Sequence, residues 1–503
     1  MKIFTSSRVK EIDAYTILHE PVSSIELMER ASVAFAGWFS RRFNQPAQVI
    51  VFAGSGNNGG DALAVSRMLI NNNYSVHAYL LNLTGKLTPD CETNYKRFIS
   101  SFPEKLTVLN ADSKIPEINN DEIIIDGIFG SGITRPVSGF AAEIIHQINH
   151  SQARVISIDM PSGLFGEDNS TNISENIVRA DYTLTFHFPF ISFFFAENYV
   201  YSGEVIILDI GLHPEAIKTI PSMHFTIEAT DVKHILKKRE KYAHKGTFGH
   251  SLLISGSYGM MGAAILSAKA CLRGGTGLLT AHVPRFGYEI MQSTVPEALV
   301  SIDESDIIFT GFPDLSPFSA IGIGPGLSIK SNSCKGLKKL LEEAKVPLVL
   351  DADAINILAK NLDWLDLLPE GAILTPHPGE FDRLAGGSTS MFERYTKQLV
   401  LSAKYKINII LKGAHSILVT QTGETWFNTS GNPGMATGGS GDVLTGLLLS
   451  LIGQGYSPSD AAKAGVYLHG LAGDLAAKEI SEPSLIASDI INYFGKAFLK
   501  VMS

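Results

Sequence analysis

Short apolar runs alternate with longer stretches of helical spacing along most of this chain, in two successive series. The first series holds QVIVFAG (48–54), SVHAYLL (75–81), EIIIDGI (122–128), RVISIDM (154–160), YTLTFHF (182–188) and EVIILDI (204–210), which read as strands. Continuous apolar runs of this length suit parallel strands covered by helices on both faces. Ahead of them, the first 45 residues read as helix. Ser23 and Glu26 have capping-box spacing, and Ile25, Met28, Ala31, Phe35, Trp38 and Phe39 follow at helical intervals. This pattern predicts a Rossmann-like three-layer α/β domain over residues 1–215.

Residues 213–245 break the rhythm with HPEAIKTIPSMHFTIEATD and the charged KKREKYAHKG, so a linker region is expected over 216–245. A second α/β domain follows over 246–503. Its strands are expected in HSLLISGS (250–257), GLLTAHV (277–283), SAIGIGP (319–325), PLVLDAD (347–353), AILTPHP (372–378) and NIILKGA (408–414). SILVT (416–420) and ETWFN (424–428) look like a hairpin, and helices are expected over 441–454, 458–480 and 486–500.

Composition narrows the class of molecule. A chain of 503 residues with 45% hydrophobic and 18% charged residues has enough apolar side chains for two sizeable cores. The 46 glycines predict many tight loops. A formal net charge of −9 excludes a broad nucleic-acid surface, which needs clustered Lys and Arg. Lys237-Lys238-Arg239 reads as a solvated helix end. Cys91, Cys271 and Cys334 are too far apart for a disulfide framework or a zinc site, which fits a reducing, cytoplasmic compartment. The N-terminus has no secretory pattern, and no apolar run approaches the ~20 residues of a membrane span. The aromatic run around Phe190 to Phe195 reads as buried or interfacial; exposed, it would favour a homo-oligomer.

Two Gly-rich stretches carry the candidate chemistry. In VFAGSGNNGGDALAVSRML a strand turns through glycines into a helix, whose first N–H groups offer themselves to an anion. Asn57, Asn58 and Asp61 put three polar groups in a turn that a plain corner would not need. The spacing is not that of the dinucleotide fingerprint. Asp126 and Asp159 end two other strands and are followed by FGSGITRP and PSG. The carboxyl ends of parallel strands share one crevice, so Asn58, Asp126, Asp159 and Ser162 are expected together. Each Asp could alternatively cap its own turn. An amide, a carboxylate and a hydroxyl would suit a hard cation.

The second stretch is TSGNPGMATGGSGDVLTGLLLSLIG. Backbone N–H groups of Gly438 to Gly441 would form an anion hole at a helix start. Asp442 in the first turn could take a proton from a hydroxyl, or be only a charge favoured by the helix dipole. Lys412 leaves a strand in IILKGAHS, and His377 stands between two prolines in TPHPGEF.

GSGNNGGD, DGIFGSGITRP and DMPSGL together resemble the NAD(P)H-hydrate epimerase family. The resemblance implies that Asn57, Asn58, Gly59, Gly60 and Asp61 contact a hydrated nicotinamide nucleotide. Gly130, Ser131, Gly132, Ile133, Thr134, Arg135 and Pro136 would do so too, with Asp159 also catalytic. Asn58, Asp126 and Ser162 match positions that bind a potassium ion. The family often has a lysine where this chain has Phe190, so that contact has no counterpart here.

KGAHS with GNPGMATGGSGDVLTG resembles the ribokinase-like superfamily, and within it the ADP- or ATP-dependent NAD(P)H-hydrate dehydratases. That resemblance implies a C-terminal ribokinase-like α/β domain in which Ala263, Gly326, His377 and Asp442 contact the hydrate. Lys412, Gly413, Ala414, His415 and Ser416 would hold nucleotide phosphates with Asn432, Gly438, Gly439, Ser440 and Gly441. Magnesium is expected with the nucleotide, ADP favoured over ATP. The implied activity is repair of NADHX and NADPHX: epimerisation of the R and S hydrates, then dehydration of the S hydrate. A vitamin or sugar kinase with a fused ligand-binding domain would leave a stable phosphorylated product instead. A nucleotide sensor would tolerate loss of Asp442.

Overall fold

A computed structural model describes residues 1–45, 47–83 and 85–503. The chain parts into two compact units, Lys2–Ser222 and Met223–Ser503, the latter including Met1.

The first unit is built on seven parallel strands: β1 (Gln48–Ala53), β2 (Ser75–Leu81), β3 (Leu106–Leu109), β4 (Ile123–Gly127), β5 (Arg154–Ile158), β6 (Tyr182–Phe186) and β7 (Glu204–Leu208). They lie in the order β3-β2-β1-β4-β5-β6-β7. The order reverses between β1 and β4, so the connections leaving these strands diverge and open a crevice at their carboxyl ends. Six of these strands coincide with the apolar runs. The seventh, β3, escapes the pattern because Thr107 and Val108 are exposed at the sheet edge. The opening segment forms two helices, Ser6–His19 and Ser24–Arg42. The second begins at the expected capping box, where the Ser23 N–H donates to Glu26 Oε2 at 2.7 Å. Phe190, Ile191, Phe193, Phe194 and Phe195 are all buried. Phe190 packs with Met160, Leu164, Ile177 and Phe193. The aromatic run is therefore core and supplies no surface for self-association, because the hydrophobic effect draws it under the loop after β5.

The second unit adds β8 (His224–Ile227), β9 (His250–Ile254), β10 (Leu278–Val283), β11 (Leu299–Ile302), β12 (Ala320–Ile323), β13 (Leu348–Leu350), β14 (Ile373–Leu374), β15 (Asn408–Leu411), β16 (Ile417–Val419) and β17 (Thr425–Asn428). Their order is β8-β17-β16-β15-β14-β13-β12-β9-β10-β11. Pairing is parallel except for the hairpin strand β16 against its neighbours. Again the order reverses, here between β12 and β9, and the Gly-rich loop after β12 lies at that point. The helix Ser440–Gly453 is buried from Val443 onward and crosses the helix Met261–Arg273 closely, since a Cβ at Gly446 would collide with the Ser267 carbonyl.

Much of the stretch expected as a linker is structured. Residues 223–245 belong to the second unit, with β8 paired to β17 and the helix Ala229–Ile235 following. β8 and β11 were hidden from the apolar pattern by their polar, half-exposed positions at sheet margins.

Candidate active sites of the two units

In the first unit the chain leaves β1 at Gly54 and enters the helix Asn57–Asn71 at once. Gly59 is required there, because any Cβ would strike the carbonyl of Gly54. The close approach sets Asn57 and Asn58 at the rim of a cleft of about 520 Å³. That size suits a small-molecule ligand. Asn57, Asn58, Asp61, Gly130, Ser131, Gly132, Ile133 and Asp159 line it. Thr134, Arg135 and Pro136 do not line the cleft, and Gly59 and Gly60 are buried beneath it.

Asp126 lies below the cleft, completely buried, and each oxygen accepts two hydrogen bonds. Oδ1 accepts from Ser162 Oγ at 2.5 Å and the Ile128 N–H at 3.3 Å. Oδ2 accepts from Ser157 Oγ and the Ser162 N–H, both at 2.8 Å. Ser162 Oγ also lies 3.2 Å from the Phe129 carbonyl oxygen. The Asn58 amide sits against Gly130, and its Nδ2 is buried without a partner. Asp126 and Ser162 are thus joined beneath the cleft that Asn58 lines.

Asp159 adopts a left-handed backbone, φ 61°, which strains a residue with a side chain. Burial pushes its carboxyl up, opposed by hydrogen bonds from the Phe186 backbone and from Ser131. Asp61 is driven well above the usual range by burial, then by Asp159, Asp13 and Asp90. Asp13 reaches about 6, from burial first and Asp159 second. Sequence reasoning missed Asp13 and Lys10, which reach the cleft from the helix Ser6–His19. No Gly-rich motif flags them; only the helical spacing of Ser6, Val9, Lys10, Asp13 and Ile17 along one face does so.

In the second unit the helix Ser440–Gly453 starts from Gly439, whose φ of 92° favours glycine. Asp442 stands in the first turn. Lys412 leaves β15 and donates to Asp351 Oδ1 at 2.8 Å; Thr445 Oγ1 donates to Asp351 Oδ2 at 2.7 Å. The Lys412 amine also lies over Gly441, 3.2 Å from where a Cβ would be. Burial pushes the Asp442 carboxyl up to about 7; Asp351, Asp353 and Glu380 add to the rise and Lys412 opposes it. A carboxyl poised near neutrality is suited to proton transfer. His469 fixes the helix start through its Nε2, 3.0 Å from the Ser440 carbonyl oxygen, and burial lowers its own pKa to about 4. Asp351 ends a strand just as Asp126 and Asp159 do, so the same logic applied to PLVLDAD would have found it.

Gly326, φ 62°, lies against Ala263, with their Cβ positions 3.4 Å apart. The Ser328 N–H donates to Asp353 Oδ2 at 2.8 Å, tying the loop after β12 to the end of β13. His377 caps the helix Pro378–Ala385, its Nδ1 accepting from the Gly379 N–H at 3.1 Å. Its ring is half exposed beside Glu380. Gly413, Ala414, His415 and Ser416 form the turn from β15 to β16. Asn432 spends its side chain inside its own loop, accepting from the Gly434 N–H and donating to Asp474 Oδ1 at 3.0 Å. Its amide therefore shapes the Gly-rich loop, and Asp474 is a further support that sequence reasoning missed.

Residues 24–191 match the family described as YjeF-related protein N-terminus, and residues 251–495 match NAD(P)H-hydrate dehydratase. The bifunctional NAD(P)H-hydrate repair enzyme of Moorella thermoacetica is 33% identical, covering 98% of this chain and 96% of its own length. That of Thermofilum pendens is 31% identical, covering 99% and 96%. A ribokinase-like superfamily protein from Enterococcus faecalis V583 superposes with a TM-score of 0.50 at 28% identity, over 56% of this chain and 98% of its own.

Proposed function

This chain belongs to the family of bifunctional NAD(P)H-hydrate repair enzymes, and from that membership we propose how its two units divide the work. The enzyme restores hydrated NADH and NADPH. The first unit interconverts the R and S hydrates, and the second dehydrates the S hydrate at the expense of a nucleotide, ADP favoured over ATP. The observation that carries the second half is the meeting of Asp442, the Gly-rich helix start and the Lys412–Asp351 pair at one set of strand ends.

There Asp442 takes the proton of the ring hydroxyl while the hydroxyl oxygen attacks the terminal phosphoryl group, whose bridging bond breaks so that AMP leaves from ADP, or ADP from ATP. The N–H groups of Gly438 to Gly441 and the Lys412 amine stabilise the transferring charge. The lone pair of the ring nitrogen then expels the phosphorylated oxygen as phosphate, the neighbouring carbon gives up its proton to water, and the C–H electron pair restores the ring double bond. Ala263, Gly326 and His377 form the hydrate's side of this site in our reading, and the turn from Lys412 to Ser416 meets the nucleotide. No group of three His, Cys, Asp or Glu side chains converges on a metal position among the described residues. Magnesium would therefore be held mainly by nucleotide phosphates and water.

In the first unit, Asn57, Asn58, Asp61 and Gly130 to Ile133 would embrace the hydrate over the close turn that Gly59 and Gly60 allow, with Asp159 beside the ring. The fully buried Asp126 carboxylate, the Ser162 hydroxyl, the Asn58 amide and the Phe129 carbonyl offer oxygens only, with a single full charge. That set fits potassium better than a divalent ion. No helix among the described residues is long and apolar enough to cross a membrane. All three thiols are free, and a reducing cytoplasmic compartment is the setting we assign on that ground.

The test is an absorbance assay with purified hydrate, adding ADP and ATP in separate reactions. Recovery of reduced-nicotinamide absorbance is expected with either and faster with ADP. A stable phosphorylated product without recovery would make the second unit a kinase.

A further inference from the structure

The helix Ser6–His19 is a wall of the first unit's cleft. Ser6, Val9, Lys10, Asp13 and Ile17 all line it, and their spacing is that of a single helical face. This helix lies outside the stretch matched to the N-terminal family, which begins at residue 24. Among the described residues Asp13 has no hydrogen-bond or ion-pair partner, although it is half buried. A carboxyl held in that way weakens a fold, so a structural role is a poor account of it.

We propose that Asp13 is a catalytic residue of the epimerase site, the general acid for the ring hydroxyl, with Asp159 across the cleft as the base. This rests on reading the cleft as the epimerase site. The charged groups that line the cleft are Lys10, Asp13, Asp61, Asp90 and Asp159. Burial and Asp159 together raise Asp13 to about 6; burial raises Asp159 as well, opposed by the hydrogen bonds it accepts from the Phe186 backbone, Ser131 and Thr185. Two neighbouring carboxyls in unlike surroundings are a recurrent acid–base arrangement.

The step balances. The Asp13 proton passes to the hydroxyl oxygen, the carbon–oxygen bond breaks, and water leaves. The lone pair of the ring nitrogen forms a carbon–nitrogen double bond. Water then adds to the opposite face of that carbon and gives its proton to Asp159. One proton has moved from Asp13 to Asp159 and returns through solvent, with no change in oxidation state.

The experiment uses the full chain without nucleotide, one pure epimer, and chromatography of the two epimers over time. Asp13→Asn should slow interconversion by about 100- to 10,000-fold, the usual span for a lost general acid. Hydrate affinity should stay within a few fold, and the melting temperature should hold or rise. In the wild type kcat/KM should fall as pH rises through about 6, and Asp13→Asn should abolish that limb. Asp13→Glu should regain part of it. Near-normal turnover by Asp13→Asn, or a pH limb that survives it, overturns the assignment. So does a loss confined to hydrate affinity in both variants. Failure of the wild type itself to interconvert the epimers would instead remove the epimerase reading on which this rests.

Discussion

Both units place a Gly-rich loop after a strand and run it into a helix carrying an aspartate near its start, yet only one of the two aspartates has a cation in its field. Asp61, on the helix Asn57–Asn71, is buried among Asp13, Asp90 and Asp159. Asp442, on the helix Ser440–Gly453, has the Lys412 amine to oppose part of the field of Asp351, Asp353 and Glu380. The loop by itself supplies only N–H groups for an anion. Neighbouring charge then decides the chemistry. A cleft of carboxyls suits moving protons on and off a hydroxyl, whereas a cation set among carboxyls suits phosphoryl transfer.

The contrast breaks most sharply at Asp442. Asp442→Asn keeps the shape and cannot accept a proton. It should cut dehydration by ~100- to 10,000-fold, roughly 3–5 kcal/mol of barrier, and leave epimerisation and nucleotide affinity nearly unchanged. Turnover and nucleotide affinity measured on one preparation decide it; near-normal turnover removes Asp442 from the mechanism.

Lys412→Met strands the Asp351 carboxylate, whose side chain is only 2% exposed. Removing one partner of such a pair costs about 3–5 kcal/mol. Denaturant titration should show the loss in the second unit's transition and none in the first. If both transitions shift alike, the ion pair does not act locally in the second unit.

The raised pKa of Asp442 also writes itself into stability. The folded carboxyl binds its proton more tightly than the unfolded one, so the folded state holds more protons between about pH 4 and 7. Stability from this group is complete below the unfolded value near 3.8 and is lost as pH rises through about 7, a change of a few kcal/mol. Dehydration should strengthen over the same interval as the base ionises. Melting temperatures of wild type and Asp442→Asn from pH 4 to 8 should converge at the acid end and separate at the other; parallel curves would contradict the shift.

The smallest effect is expected in the first unit. Asp126→Asn should lower cation affinity by about 10- to 100-fold, so that epimerisation needs more potassium while dehydration does not change. Equal loss of both activities would mean that the substitution acts through the fold.

Periodicity made most strands legible because a parallel strand covered on both faces must be apolar throughout. It failed at Leu106–Leu109, His224–Ile227 and Leu299–Ile302, where a sheet margin leaves polar or exposed positions. Residues 216–245 read as a linker for that reason, since His224–Ile227 needs β17 beside it to be a strand at all. Phe190 to Phe195 show the converse limit: an aromatic run does not disclose whether it faces water.

Local chemistry is what the sequence by itself determined: the two Gly-rich helix starts, Asn58, the strand-end Asp126 and Asp159, Lys412 and Asp442. Each is defined by residues a few positions apart, and steric demands such as that at Gly59 are written in the chain. Tertiary structure alone decided the partners. Asp351 meets Lys412 across 61 residues and Thr445 across 94, and Asp13 comes to Asp159 from a helix near the start of the chain. Burial and through-space charge set the proton affinities of Asp13, Asp61 and Asp442, and both depend on distances that spacing along a chain does not contain.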